Sequence, residues 1–375
     1  MDRLLLFPFA AALAWSASSA WAADTAAADT SAARADTASQ PDIVINGQLL
    51  KYGVRKTSTA TKTNTDVKDI PQALTTITSR QIEDQQLRSV GELLKYVPGA
   101  SYGGGEGNRD QLVLRGNSST ADFFVDGVRD DVQYFRDFYN VDRVEVLKGP
   151  NAMIFGRGGG GGIINRVLKR PSLSSYRSLT SSGDGWGGFR LTGDVDQPLS
   201  GVFGVRLNAM YEDGGSFRNH VDLRRYGINP TAALLVGPET RIDFSYEHFH
   251  DRRTADRGVP ADGDEPIRGF TRTFFGDPGI SLAKADVDLA TVAVEHDFGN
   301  GLTLRNRTMF GNYDKFLKEV AANNHRVLWV CHRPVPGGGN GRTRRTGAFT
   351  PTAARAHVTV GRFACVLGSA GRARA

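Results

Sequence analysis

The hydrophobic positions of this chain follow two regimes, and the change falls at Pro171. After Pro171 the period is two. Phe189, Leu191, Gly193 and Val195 alternate with Arg190, Thr192, Asp194 and Asp196. Val205, Leu207, Ala209 and Tyr211 alternate with Arg206, Asn208, Met210 and Glu212, and Ile242, Phe244 and Tyr246 with Arg241, Asp243, Ser245 and Glu247. A period of two puts one set on each face of a strand. About seven such strands fit between 172 and 325, joined by short (197–201, 237–239) and long (252–286) connections in alternation. An apolar-out membrane barrel and an apolar-in soluble sandwich both produce this pattern, and the alternation alone leaves both open.

Before Pro171 the signals are mixed and compact. Leu74–Ile77 reads as a strand. Thr78 with Gln81, and Ser89 with Glu92, are capping-box patterns that open two short helices, the second ended by Pro98-Gly99. Leu112–Leu114 is a strand stopped by Arg115-Gly116, and Phe123–Val125 a strand turned by Asp126-Gly127. Val141–Leu147 leads through Lys148-Gly149-Pro150 and a glycine run, 158–162, into Ile163-Ile164-Asn165. These elements predict a small α+β domain over 65–171.

Gly156, Gly158 and Gly161 satisfy G-x-G-x-x-G. A dinucleotide site needs a helix directly after that motif, with its N-terminus on the pyrophosphate. Here the glycines run into a β-prone segment, which argues against a nucleotide-binding enzyme. His248 and His250 share one face at strand spacing beside Asp251, a pattern open to metal binding. The sequence offers no third ligand, which favours a strand end beside the long loop.

Arg3, the apolar stretch Leu4–Leu13 and Ala20-Trp21-Ala22 read as a secretory signal peptide over 1–22. Residues 23–64 are polar and poor in apolar anchors, a linker composition, except for the β-prone island Asp42-Ile43-Val44-Ile45. The formal net charge of +6 comes from one tail. Residues 326–375 hold nine Arg and no Lys, Asp or Glu, so 1–325 carries 37 basic against 40 acidic residues, a net −3. The basic balance therefore does not point to nucleic acid. Both cysteines, Cys331 and Cys365, lie in the same tail, and a cysteine-free exported body fits an envelope protein.

Several strings occur in a fixed order: Leu93-Leu94 to Pro98-Gly99, Leu114-Arg115-Gly116, Val125-Asp126-Gly127, Val144 to Pro150, Gly161 to Asn165, and Lys169-Arg170-Pro171. Together they resemble the plug domain of TonB-dependent outer-membrane receptors, and most of all the catecholate ferric-siderophore receptors. The resemblance implies an α+β plug over 65–171 followed by an incomplete antiparallel transmembrane β-barrel over 172–320. It makes residues 42–46, with Asp42, Ile43, Val44 and Ile45, a TonB box. It implies TonB with its ExbB–ExbD energy complex, a ferric siderophore and outer-membrane lipid as partners. It implies no cofactor, the iron being cargo, and no catalysis. Haem, cobalamin or another chelate stays open as the cargo.

A ferric tris-catecholate is anionic and flanked by flat rings, so its receptor needs basic and aromatic groups at an outward mouth. The resemblance makes two plug loops apical. They nominate Arg136 first, then Tyr102, with Tyr134, Phe135, Arg109 and Arg129 beside them. Lys148, Arg157 and Arg166 are expected to pair with lumen carboxylates such as Asp194, Asp243 and Glu247, holding the plug without an apolar interface. The family barrel has 22 strands, which need about 220 residues before loops; 172–320 supplies roughly a third of that wall. From about 320 the alternation stops and Arg, Gly, Pro and Ala dominate. Residues 321–375 are expected to be an out-of-frame stretch, or else a basic disordered tail.

Overall fold

The computed structural model describes residues 52–323, apart from 105–106, 131, 150–154, 157–159 and 300–301, together with two later strands, 326–332 and 357–369. The expected signal peptide, the TonB box Asp42–Ile45 and Arg157 lie outside the described residues.

A short ribbon comes first, β1 (Lys56–Thr57) against β2 (Thr65–Asp66). β3 (Ala73–Thr78) then enters α1 (Ser79–Asp84), where the Thr78 hydroxyl accepts the amide of Gln81 at 3.3 Å. α2 (Val90–Leu94) opens the same way, with Ser89 accepting from Glu92 at 3.3 Å. The Glu92 carboxylate reaches back to the Arg88 amide, 2.6 Å away, one residue before the cap. Both hydroxyl caps fall where the sequence predicts them.

β4 (Ala100–Tyr102), β5 (Leu112–Leu114) and β6 (Asn117–Ser119) form a small antiparallel sheet. β7 (Phe123–Val125) and β8 (Val128–Arg129) form a hairpin. Both turn pairs, Arg115-Gly116 and Asp126-Gly127, hold two successive positive φ angles, as a tight two-residue hairpin requires. β9 (Val141–Lys148) and β10 (Gly162–Leu168) complete a five-stranded sheet, ordered β3-β9-β10-β7-β8, in which β10 and β7 run parallel. The motif ending at Gly161 thus leads into a central strand and not into a helix.

Both faces of this sheet are covered, so β9 and β10 bury apolar side chains on both sides. Val144, Val146, Ile164 and Phe123 pack on the helix side; Leu147, Ile163 and Phe124 pack on the other, against Ile70 and Phe155. The β1–β2 segment is hooked to that second face by polar contacts. Thr57 donates to Glu145 at 2.6 Å, and Asn165 donates to Thr59 at 3.0 Å.

After Pro171 the chain becomes a wall: β11 (Tyr176–Gly183), β12 (Phe189–Pro198), β13 (Phe203–Gly214), β14 (Leu223–Val236) and β15 (Thr240–Arg253). A loop carrying the ribbon β16 (Ala261–Asp262) and β17 (Glu265–Pro266) leads to β18 (Leu282–Asp297) and β19 (Leu302–Asn323). All wall neighbours pair antiparallel, giving seven strands from β11 to β19 outside the loop ribbon. The alternation holds in space: Asp194, Asn208, Asp243 and Glu247 are buried on the concave side, while Leu179, Phe244 and Tyr246 are exposed outside. The loss of alternation after 320 does not end backbone pairing. β20 (Arg326–His332) and β21 (His357–Ser369) both pair with β19.

Candidate functional site

The wall has two unlike ends. The turns 199–202 and 237–239 close one end; the loops 215–222 and 254–281 stand at the other. In a membrane barrel the long loops face outside. The plug turns two of its own loops to that end, the glycine-rich segment before β5 and the aromatic segment before β9.

Gly107 marks the meeting of plug and outer loop. Its φ is +68°, and a Cβ there would lie 2.4 Å from the carbonyl oxygen of Asp256, so only glycine lets the two backbones touch. Asp256 is itself fixed by Arg218, 2.8 Å away, which also donates to the Thr273 carbonyl at 3.2 Å. Beside this contact opens a cleft of about 180 Å³, lined by Gly104, Phe135, Ser216, Asp222 and Arg253 among others. The Arg253 guanidinium lies 3.9 Å from the centre of the Phe135 ring, and its Nε donates to Asp251 at 2.7 Å. A cation held over an aromatic face beside open volume suits a flat anionic ligand.

The nominated residues divide. Phe135 lines the cleft. Tyr102 is half-buried against Gly91, where an added Cβ would sit 3.2 Å from its ring. Burial, then the charge of Asp110, pushes its hydroxyl well above the usual phenol range. Arg129 donates to the Ala121 carbonyl at 2.9 Å, pairs with Asp122 and lies over Phe124. Arg109 is half-buried between Asn108 and Asp110 in the glycine-rich loop.

Arg136 is not at the mouth. Its residue is 1% exposed, and its guanidinium bonds Asp130 (3.1 Å) and the carbonyls of Tyr134 (3.1 Å), Asp130 (2.8 Å) and Val132 (2.7 Å). It is sandwiched over Phe123 and Tyr134. With its donors committed inside, it braces the apical loop from beneath. Tyr134 is buried beside it and donates to Asp130 at 2.8 Å. Asp130 also receives Arg166 at 3.0 Å and the wall's Tyr313 hydroxyl at 3.2 Å. Burial works to raise the Asp130 carboxyl, but Arg136 and Arg166 outweigh it and hold it below the usual range.

The expected plug-to-wall pairing is corrected in its donors. Lys148 donates to the plug's own Pro98 carbonyl at 3.1 Å, and the hydrogen bonds of Arg166 go to Asp130 and Tyr134 of the plug, while its charge also attracts the wall's Glu247, as expected. The wall carboxylates are met instead by residues at the end of the plug: Lys169 reaches Asp194 at 3.0 Å and Arg170 reaches Asp243 at 3.2 Å. Glu247 accepts from Asn140 at 2.9 Å and Tyr139 at 3.3 Å. The firmest lock runs the other way. The plug's Asp137 is gripped by two wall guanidiniums, Arg190 at 2.7 Å and Arg225 at 3.0 Å. Burial opposes its charge, yet those two cations hold its carboxyl far below the usual range.

Nor is the interface free of apolar contact. Phe138, Tyr139 and Tyr134 of the plug form one buried cluster with Phe249, Val287, Leu289 and Met309 of the wall. Gly227 makes room for Tyr139, whose ring would lie 2.8 Å from a Cβ there. Arg253 and Asp137 carry no motif. Extending the alternation of β15 to its end does place Asp251 and Arg253 inside, which is the signal that finds Arg253. His248 and His250 point outward and bond Asp288 and Asp286; among the described residues no group of three ligands is placed to hold a metal.

A folded plug seated on the inward face of an antiparallel, outward-apolar wall, with a cleft between its apex and the outer loops, defines a plugged outer-membrane receptor. Residues 66–163 match the TonB-dependent Receptor Plug Domain family. The chain is 33% identical over 266 residues to the catecholate siderophore receptor Fiu of Escherichia coli K12, covering 64% of this chain and 34% of that one. It is 28% identical over 284 residues to the metal-pseudopaline receptor CntO of Pseudomonas aeruginosa, covering 73% of this chain and 40% of that one. The closed-form crystal structure of the E. coli ferric-catecholate import receptor Fiu superposes with a TM-score of 0.67 at 29% identity, covering 72% of this chain and 41% of that one. The chain thus carries a TonB-dependent receptor plug domain and is similar to the TonB-dependent siderophore receptors of the outer membrane, and it spans about a third of the length of the curated relatives it matches first.

Proposed function

We propose that this protein receives a ferric siderophore of the catecholate type at the outer surface and passes it inward under TonB control, with no chemical conversion. The carrying observation is the Phe135–Arg253 pair beside the cleft between plug apex and wall. A catecholate ring stacks on Phe135 while its oxygens meet the guanidinium. Tyr102 and Arg109 flank the approach from the glycine-rich loop. Binding there loads the apical loop that Arg136 braces and Asp137 anchors, so occupancy bears directly on how the plug is held. The segment Asp42–Ile45 supplies the extended strand that TonB pairs with, and the ExbB–ExbD complex supplies the energy.

A second cargo has a specific observation in its favour. Asp222 lines the cleft and Asp256 borders it beside Arg218, so the pocket mixes charges rather than being uniformly basic. A metal chelate with amine as well as carboxylate groups suits that mixture, and one relative of this chain is a metal-pseudopaline receptor. Fluorescence quenching of the purified full chain decides between them. Ferric catecholates should bind, haem, cobalamin and amino-carboxylate chelates should not compete, and Arg253→Ala should weaken binding at least about tenfold. Unchanged affinity in Arg253→Ala removes the cleft from the reading.

A further inference from the structure

At the inner end of the wall, the loop between β1 and β2 brings a lysine against β19 without giving it a carboxylate. Lys62 stands at φ +61°. Its amide donates to the Ser58 carbonyl at 2.8 Å, and its own carbonyl accepts from Arg305 at 3.2 Å. The loop is therefore pinned to the wall through its backbone. The Lys62 ammonium lies 4.5 Å from the centre of the Phe155 ring, and among the described residues it makes no hydrogen bond or ion pair. Arg307 stands two residues beyond Arg305 on the same inward face of β19. It donates to the Asp126 carbonyl, its Nε is buried without a hydrogen-bond partner, and among the described residues it too makes no ion pair. Burial first, then the charge of Arg307, hold the Lys62 ammonium below the usual lysine range.

The cations around these two are matched. Arg305 pairs with Glu295 at 2.7 Å, and Arg170 and Arg241 share Asp243 at 3.2 Å and 2.9 Å. Asp126 faces Arg170 at 3.9 Å and accepts the Leu168 amide at 3.3 Å. Lys62 and Arg307 are both half-buried, where like charges are poorly screened, and a ring face neutralises neither. Two positive charges with N–H donors to spare call for a doubly charged acceptor. The turn beside them leaves the ammonium uncovered: at Gly127, with φ +83°, a Cβ would lie 3.4 Å from the Lys62 Nζ. A tetrahedral oxyanion has several acceptor oxygens, enough to take the ammonium and the Nε–H of the guanidinium together.

We propose that Lys62 and Arg307 bind a phosphate ion that clamps the β1–β2 hook to the wall. With the anion bound, the two cations become a bridge between plug and wall; without it, they push the hook away. The hook is the first described strand pair after Asp42–Ile45, so the anion sets how firmly the plug resists a pull from that side. The site lies at the end away from the cleft and does not depend on the cargo. Hydrogen exchange of the full chain in detergent micelles, read at amides 56–66, compares phosphate with chloride at equal ionic strength and pH. Phosphate at about ten times its Kd should slow exchange of the hook about tenfold. Lys62→Met should lose the phosphate effect and, with the repulsion gone, exchange more slowly in chloride than the unaltered chain. Lys62→Arg should keep the phosphate effect. Exchange at β9 and β10 checks that each variant retains its plug, and chelate binding at Phe135 and Arg253 should not change. Equal exchange of the unaltered chain in the two salts overturns the proposal. So does a phosphate effect that survives in Lys62→Met, which puts the anion elsewhere. Faster exchange of Lys62→Met in chloride overturns it as well, since the ammonium is then a support through Phe155. Protection by polyglutamate with none by phosphate assigns the cations to an acidic partner and ends the phosphate reading.

Discussion

Asp110 and Asp130 face the same guanidinium, that of Arg136, yet they titrate in opposite directions. Asp130 receives hydrogen bonds from Tyr134, Arg136, Arg166 and Tyr313. Among the described residues Asp110 accepts only the Arg136 amide at 2.9 Å, stands 3.6 Å from its Nη1, and has no partner for its buried Oδ1. Burial therefore dominates at Asp110 and lifts its carboxyl to about 6, against the pull of Arg136. A raised carboxyl stabilises the fold fully below its unfolded pKa, near 4, and that contribution is lost as pH rises through about 6. Over this window the loss is roughly 2–3 kcal/mol. Asp110→Asn keeps an acceptor for the Arg136 amide and should flatten the decline in plug stability between pH 4 and 6. Hydrogen exchange at β9 and β10 measures it, and an identical pH slope in both proteins would sink the idea. Sequence reading could not separate these roles. Arg136 stands in an aromatic loop and reads as a surface residue, because the curl by which residues 130–134 turn a carboxylate and three carbonyls onto it, with Asp110 from a loop distant along the chain, carries no sequence signal.

At the level of elements, the legible features are those carried by neighbours in sequence. Thr78 and Ser89 cap as expected, and Arg115-Gly116 and Asp126-Gly127 turn as expected, since each needs only local geometry. The parallel pairing of β7 with β10 was hidden, because it joins segments with no shared local signal. Wall alternation was readable, but wall length was not: β18 and β19 run for 16 and 22 residues, well past a membrane span. The glycine run yields a sharper test. A Cβ on Gly161 would lie 2.4 Å from the Leu114 carbonyl oxygen, and one on Gly162 would lie 2.3 Å from that of Leu147. These glycines thread β10 between β9 and the β4–β6 sheet. Gly161→Ala forces one backbone aside at a cost of about 1–3 kcal/mol. It should lower the thermal midpoint of the plug, whereas Gly104→Ala, which meets nothing within 4 Å, should leave it alone. Equal midpoints for the two variants would show that the backbone yields freely there.

The whole molecule raises the question of what holds the plug in place. Several contacts share the load, among them the apolar cluster around Phe138 and Phe249, the Lys169–Asp194 pair and the Asp137 lock. Their worth differs because their residual partners differ. If Lys169 is lost, Asp194 still has Arg206 at 2.7 Å, so Lys169→Met should cost about 1 kcal/mol or less. If Asp137 loses its charge, Arg190 and Arg225 remain buried and must share Glu212, at 2.5 Å and 2.7 Å. One carboxylate between two guanidiniums, with the plug's Arg88 also 3.6 Å from it, leaves an excess of buried positive charge. Asp137→Asn keeps a side-chain oxygen for the amides of Phe138 and Tyr139, so the local turn survives and the change reports on the inter-body pair. Breaking a buried pair from one side costs about 3–5 kcal/mol, and the remaining Glu212 puts this case at or below the lower end. Asp137→Asn should therefore expose the plug to protease at lower urea than Lys169→Met does. The lock sits next to Phe135 and Arg136, so the same variant should also loosen the apical loop and weaken ligand binding, which Lys169→Met leaves intact. If both variants release the plug at the same urea concentration, retention belongs to the Phe138–Phe249 cluster, and Phe138→Ala becomes the variant that frees it.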